Sequence, residues 1–367
     1  MHINGLKLRD FRNYDRLSLN FEKEYNIIYG NNAQGKTNII EAIFLCASGR
    51  SHRTSKDTEL LKTDGTGYYV GLSLEKEEGS FSIEIKYNRD ERKRISVNEI
   101  PLKKTGDLMG TLNAVIFSPE DLFIIKEGPS ERRRFLDITI SQLKPAYFFD
   151  LQQYAKILFQ RNSLLKELPG RRDLQETLDV WNHHLIKTGA KIIKARREFI
   201  GKLNKKAAVR HLKLTNGAEQ LVIEYVPSFG LEADDDISVI EKKFENELKS
   251  VSAREIMKGT TLRGPQRDDY DIILNEMSTK IYGSQGQQRT SVLSMKLAEI
   301  DIMREETGEY PVLLLDDVLS ELDGSRQEYL FESIENIQTF ITCTDKGFFG
   351  RNGVNALFIN ISGGKVV

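Results

Sequence analysis

The sequence predicts an α/β protein: a mixed sheet with an antiparallel β-subdomain, interrupted by an inserted, mainly helical arm. Three observations carry this. An apolar run, Tyr25 to Tyr29, meets a glycine-rich loop and then a segment of helical period from Asn38 to Ala47. Two runs, Tyr69 to Leu74 and Phe81 to Tyr87, alternate apolar and polar residues about a turn, the pattern of paired, half-buried strands. From Ser130 to Leu203 the period becomes helical, and sheet-like patterning resumes near Thr261.

The loop is Gly30-Asn31-Asn32-Ala33-Gln34-Gly35-Lys36-Thr37, which fits G-x-x-x-x-G-K-[ST] in full. Strand, glycine loop and helix follow in the order the motif requires. Gly30 and Gly35 let backbone amides approach an anion closely. Successive N–H groups from Asn31 to Gly35, with the positive end of the following helix, then cradle phosphates. Lys36 is placed to reach the β- and γ-phosphates, and Thr37 to offer its hydroxyl to Mg2+.

The 367 residues suggest two or three domain-sized units. Charged residues at 29% and hydrophobic ones at 39% are ordinary for a soluble globular chain. The net charge of −1 neither requires nor excludes nucleic acid, so only local patches bear on it. Cys46 and Cys343 lie in apolar runs and read as small core residues, not as a disulfide or metal set. With no secretory segment and no apolar run near 18 residues, the expected location is the cytoplasm, with no membrane partner.

In chain order, Met1 to Phe21 reads as a hairpin or two strands about the turn-prone Arg9 to Tyr14. After the loop and helix, Gly49-Arg50-Ser51-His52-Arg53-Thr54 is polar and basic; Arg50 and Arg53 either approach nucleotide or sit in a solvated loop. The tip Arg89 to Arg94 is basic and either touches phosphates or is solvated. Asn113 to Phe117 is a buried-type strand, and Ser118 to Asp121 after it faces a ligand crevice. Ser130 to Leu168 and Leu174 to Leu203 read as two helices broken at Leu168-Pro169-Gly170. Leu221 to Val226 reads as a strand and Ile237 to Lys249 as a polar helix. The run Thr261 to Asp269 is a turn, and Tyr270 to Leu274 is a strand. Ser284 opens a helix to Arg304. Pro311 to Leu315 is a buried strand, and Gln338 to Thr342 and Ala356 to Ile361 are the last strands. The expected division is 1–122 and 276–367 as one lobe and 123–275 as the arm.

The run Val312-Leu313-Leu314-Leu315-Asp316-Asp317 is an apolar strand ending in two carboxylates, the Walker B pattern. Asp316 is placed to hold Mg2+ and Asp317 to orient or deprotonate attacking water. Ser284-Gln285-Gly286-Gln287-Gln288 stands one helix before it. This order is similar to the ATP-binding-cassette (ABC) superfamily. There the signature helix of one subunit caps the γ-phosphate bound by the other. A serine hydroxyl, glycine amides and a positive helix end make an anion seat; a plain serine N-cap is the simpler use of the same residues.

Finer motifs narrow the resemblance. Leu6 to Tyr14, Gly30 to Thr37, Gly49 to Thr54, Phe117 to Leu122, Thr261 to Asp269, Ser284 to Thr290 and Leu313 to Asp323 together resemble the RecF family of bacterial recombination mediators, relatives of the chromosome-maintenance ATPases. The likeness covers most of the chain. It implies an ABC-type P-loop ATPase head that uses ATP and Mg2+, forms an ATP-dependent homodimer, and hydrolyses ATP slowly. It also implies binding of duplex DNA at single-strand gap junctions, with RecR and RecO, in support of RecA loading. Lys36, Asp317 and Ser284 would carry catalysis, with Arg53 and Gln287 joining the loop at the nucleotide. Four features depart from the wider superfamily. Asp317 stands where Glu is commoner, and the signature reads Ser-Gln-Gly-Gln-Gln. The Gln of the Mg-contacting loop is absent from Phe117 to Leu122, which leaves Glu120 or Asp121 to substitute. Thr344 and Asp345 occupy the place of a switch His.

Rival readings are an ATPase subunit of a membrane transporter and a chromosome-tethering protein with a long coiled coil. The stretch between Thr37 and Ser284 far exceeds the insert of the first, and sustained heptads for the second are missing. For DNA, Lys187 to Lys213 holds ten basic residues and one acid, Glu198. Lys187, Lys191, Lys194, Lys202 and Lys205 are the candidate phosphate contacts; lysine stems covering an apolar helix are the simpler reading.

Overall fold

The computed structural model describes residues 1–345 and 355–367. The chain divides into two compact units, Met1–Asp121 with Lys296–Val367, and Leu122–Met295.

In chain order the first unit begins with β1 His2–Phe11, β2 Tyr14–Asn20, β3 Tyr25–Tyr29, α1 Lys36–Ser48, β4 Gly67–Lys76, β5 Gly79–Asn88, β6 Arg94–Val97, β7 Ile100–Pro101 and β8 Ala114–Phe117. The second holds α2 Phe123–Lys126, α3 Pro129–Leu143, α4 Pro145–Glu167, α5 Gln175–Leu214, β9 Leu221–Val226, α6 Ile237–Lys258, β10 Asp269–Leu274, β11 Met277–Ser278 and α7 Thr279–Tyr282. The helix α8 Gln285–Thr307 starts in the second unit and ends in the first. Then follow β12 Val312–Asp316, α9 Gly324–Ser333, β13 Thr339–Cys343, β14 Ala356–Ser362 and β15 Lys365–Val366.

Two sheets build the first unit. One is antiparallel, in the order β2-β1-β4-β5-β6-β7. The other runs β15-β14-β3-β13-β12-β8; its five strands from β14 to β8 are parallel and β15 pairs antiparallel at the edge. The parallel strands β8 and β12 are buried along their whole length, so they read as unbroken apolar runs. Helix α1 contacts strands of both sheets. That explains why it is buried nearly all round rather than on the single face of Ile39, Ile40, Ile43 and Phe44. The order within the parallel sheet positions the site: β13 separates the loop strand β3 from the Walker B strand β12, and all three end on the same edge.

The second unit corrects three helical expectations. The span 130–168 is two helices, because Lys144 leaves helical geometry (φ −131°, ψ 88°) before Pro145, whose ring disfavours a helical residue ahead of it and suits a first turn. Helix α6 runs nine residues beyond Lys249, to Lys258, starting at an Asp236 side chain that accepts from the Val239 N–H (2.9 Å) and stopping at Gly259 with φ 61°. Helix α5 likewise continues past Leu203 to Leu214. Buried charge holds these helices. Arg161 donates to Glu255 (2.6 Å), Thr261 (2.7 Å) and Asn182 (2.7 Å). Arg196 pairs with Asp137 (2.8 Å) and donates to the Pro265 carbonyl (2.6 Å). Gly264 (φ 119°) lies where a Cβ would fall 2.5 Å from the Tyr154 hydroxyl. The Thr261 to Asp269 run is thus a packing knot: Asp268, buried, accepts from Tyr225 and from the Ser228 N–H (2.8 Å).

Candidate nucleotide site and signature helix

The loop between β3 and α1 is shaped by two glycines for two reasons. Gly30 (φ 144°) must clear the Ile361 carbonyl on β14, which a Cβ would approach to 2.3 Å. Gly35 (φ 111°) must clear Asn13 and Tyr14. The Tyr14 hydroxyl donates to the Gly35 carbonyl (3.0 Å), and Asn13 donates to the Gln34 carbonyl (2.9 Å) and accepts from Asn38 (2.8 Å). The Gly363 N–H donates to the Gln34 side chain (2.5 Å). The β1–β2 turn and the β14–β15 turn thus brace the loop from outside, while Asn31, Asn32 and Ala33 are exposed, Ala33 in the left-handed region at φ 63°.

Inside the loop the Lys36 ammonium donates to the carbonyls of Gly30 (2.7 Å) and Asn31 (2.8 Å), which fixes it in the mouth of the cradle. Thr37 and Asp316, far apart in sequence, meet: the Thr37 hydroxyl donates to Asp316 Oδ1 at 2.9 Å. Burial raises the Asp316 pKa above its ordinary value; the Thr342 and Thr37 hydroxyls pull it down and the charge of Glu120 pushes it up. Asp317 stands at the start of the following turn, exposed, with φ 54°.

Of the two acids offered for the missing Gln, Asp121 faces inward. It accepts from the Ser118 N–H (2.8 Å), lies 3.9 Å from the buried Lys296 ammonium, and is pushed up to about 6 by burial against that pull. Glu120 is exposed and acts on Asp316 through its charge. Arg53 is exposed, 3.4 Å from Asn38 and 3.8 Å from Glu41. Glu41 is fully buried and is held by a two-pronged Arg12 contact (2.8 and 2.7 Å) and the Ser51 hydroxyl (2.5 Å). Burial works to raise the Glu41 pKa, yet these bonds outweigh it and hold the carboxyl below its ordinary range.

In the second unit, Ser284 caps α8. Its hydroxyl accepts from the Gln287 N–H (3.2 Å) while its own N–H donates to Gln287 Oε1 (2.9 Å), a reciprocal capping box. The Gln287 amide is used at both ends, since Nε2 donates to Glu219 (2.8 Å). Glu219 lies 3.1 Å from His211 Nε2, and His211 Nδ1 lies 3.0 Å from Ser294. Gln287 therefore positions the signature turn on a network rooted in α5.

The basic stretch of α5 is less bare than its own sequence implies, because acids arrive from other helices. Lys187 pairs with Glu241 of α6 (2.5 Å) and Lys191 with Asp150 of α4 (3.8 Å). Lys194 reaches Glu198 at 4.0 Å, Arg196 is buried on Asp137, and Arg197 donates to the Glu232 carbonyl (2.7 Å). Lys202 and Lys205 are exposed. At the Arg89 to Arg94 tip, Lys93 is drawn to Asp57 (2.8 Å) and Arg94 pairs with Glu91 (2.7 Å).

Sequence reasoning missed Asn13, Tyr14, Glu41, Glu219 and Thr342 as parts of these sites. The signal available for the first two was their place in the Leu6 to Tyr14 motif; the other three carry none.

A parallel sheet with a phosphate loop on one strand, paired aspartates two strands away and a serine-capped signature helix defines an ABC-type ATPase head. The RecF/RecN/SMC N terminal domain family model matches residues 2–360, and the chain belongs to that family. Within it the chain falls among the RecF proteins: it is 56% identical to the DNA replication and repair protein RecF of Acetivibrio thermocellus, over 100% of this chain and 99% of that one. It is 50% identical to that of Ruminiclostridium cellulolyticum over the same shares. A solved structure of the recombination mediator protein RecF-ATP in the RecFOR pathway is 40% identical and superposes with a TM-score of 0.93, covering 100% of this chain and 97% of that one. An Smc head domain from Pyrococcus furiosus, 15% identical with a TM-score of 0.56, covering 100% of this chain and 96% of that one, shares the fold. Among the described residues no helix is long and apolar enough to cross a membrane.

Proposed function

We propose that the chain is a nucleotide-gated DNA clamp of recombinational repair. It binds ATP and Mg2+, dimerises, and engages duplex DNA at single-strand gaps, with RecR and RecO as partners in RecA loading, in the cytoplasm. The single observation that carries this is the convergence of Lys36, Thr37 and Asp316 at one sheet edge beside Asp317. The RecF-ATP relative supports the nucleotide.

By function we assign residues 1–122 and 276–367 to the ATPase lobe and 123–275 to the arm, although residues 276–295 pack with the second compact unit. Amides of Gly30 to Gly35 and the α1 terminus take the phosphates, with Lys36 on the β- and γ-oxygens and Arg53 at the rim. Thr37 and Asp316 fit Mg2+: both are hard oxygen donors, and the Thr37 hydroxyl already gives its proton to Asp316, leaving its oxygen lone pairs outward. The ion when bound neutralises phosphate charge. Asp317 orients the attacking water; its short reach fits a weak, DNA-stimulated ATPase in which hydrolysis resets the clamp. Ser284, with Gln287 holding its turn, caps the partner's γ-phosphate.

Sedimentation with and without ATP, and with and without duplex DNA, tests dimerisation and DNA binding together. Ser284→Arg is expected to bind nucleotide and stay monomeric, and Asp317→Asn to bind ATP and accumulate as dimer. Wild-type dimerisation by Ser284→Arg would overturn the signature role.

A further inference from the structure

Asp316 and Asp317 are adjacent, and consecutive side chains of an extended strand point to opposite faces. For both carboxylates to serve one site, as the ATPase reading requires, the chain must turn sharply after Asp316. It does so by placing Asp317 in the left-handed region, at φ 54° and ψ 20°. A residue with a side chain is strained there unless its surroundings hold it.

Thr342 holds it. Thr342 lies on β13, in register with Asp316 of β12. Its hydroxyl accepts from the Asp317 N–H at 2.9 Å and stands 2.7 Å from Asp316 Oδ1. An amide can only donate, so the hydroxyl proton goes to the carboxylate. The side chain is 1% exposed, which keeps water from replacing either bond. Thr37 donates to the same Oδ1. Two hydroxyls therefore fix the Asp316 rotamer, and one of them also fixes the backbone turn that aims Asp317.

We propose that Thr342 is the positioning residue of both aspartates. It sets the carboxylate assigned to the metal and the one assigned to water from a single atom, without touching nucleotide. The inference rests on the ATPase reading above. Threonine suits the role because its branched carbon fills a buried strand position while its oxygen both donates and accepts.

The test is Thr342→Val, which keeps the shape and removes both bonds, beside Thr342→Ser, which keeps the hydroxyl. ATP turnover in Thr342→Val is expected to fall roughly 10–100-fold, the usual cost of removing a support behind a metal ligand. The loss should lie in kcat with little change in KM, and the Mg2+ needed for half-maximal nucleotide binding should rise. Thr342→Ser should recover most of both. If Thr342→Val does not fold, as read by its melting curve, Thr342→Ala carries the same expectation. Turnover and Mg2+ dependence at wild-type levels in a folded Val or Ala variant overturn the proposal, as does a Ser variant no better than Val. If the wild type itself neither binds nor hydrolyses ATP, the parent reading falls, and this one with it.

Discussion

The strand ends of the first unit and the helices of the second use charge in opposite ways. In the first, charged and hydroxyl groups gather at the ends of parallel strands, around the mouth of the loop: the Lys36 ammonium on loop carbonyls, Asp316 between two hydroxyls, Asp317 exposed. In the second, Arg161, Arg196 and His211 are buried and bonded to their neighbours, tying helices distant in sequence into one body. The first arrangement gathers these groups beside an exposed loop, the second pairs them within the helices. A charged residue is therefore informative about chemistry only when its partners are known. The ten basic residues from Lys187 to Lys213 look like a nucleic-acid patch until α3, α4 and α6 contribute the acids that several of them meet.

Breaking the inward-facing charge should cost most. Arg161→Ala leaves Glu255 buried without its cation, and removal of one partner of such a pair costs about 3–5 kcal/mol. Urea unfolding should report that loss; a change under about 1 kcal/mol would put Arg161 among ordinary surface positions. The charge at the strand ends should behave differently. Lys36→Ala is expected to leave the melting temperature near wild type and to weaken ATP binding roughly 10–100-fold, the worth of about 1.5–3 kcal/mol for a charged hydrogen bond. Calorimetric titration with equal affinities in both proteins would remove the phosphate role.

The helix α5 is the intermediate case. Changing Lys191, Lys194 and Lys202 together to Glu should weaken duplex binding across unrelated sequences and flatten the salt dependence by at most about 0.9 for each phosphate no longer neutralised. Lys191 and Lys194 already meet acids, so either one changed alone should have only a small effect. Fluorescence anisotropy showing the wild-type affinity and slope in the triple variant would place DNA elsewhere.

The smallest expected effect is pH-dependent. Glu41 has its pKa depressed in the folded protein, so it contributes stability that is present above the ordinary glutamate pKa and is lost as pH falls through the lower folded value. The melting-temperature gap between wild type and Glu41→Gln should be widest near neutrality and close on acidification. A gap that stays constant with pH would show that the Arg12 contact contributes shape and not charge.

Much of the fold was legible because its signals are local. The phosphate loop, the all-apolar strand before Asp316 and the alternation of β4 and β5 each lie within ten residues and were found where expected. The short strands β7 and β11 were not anticipated. Each follows a two-residue turn, Asn98-Glu99 and Asn275-Glu276, with both residues at positive φ, a geometry more often announced by Asn-Gly. Apolar periodicity continues across the break at Lys144-Pro145 and hides it, although proline in the first turn is a local signal.

By itself the sequence determined the strand–loop–helix of the phosphate-loop pattern and the apolar strand ending in Asp316, since G-x-x-x-x-G-K-T and a strand ending in Asp-Asp specify their own backbone surroundings. It also determined the order of helices and strands along most of the chain. Only the tertiary structure decided that Thr37 meets Asp316, that the Thr342 hydroxyl accepts from the Asp317 N–H, that Gln287 is committed to Glu219, and which acids come to lie opposite Lys187 and Lys191 of α5. Those pairings join residues up to 279 positions apart. Periodicity reports the face a residue takes within its own element; which element comes to rest against that face is settled by the packing of the whole.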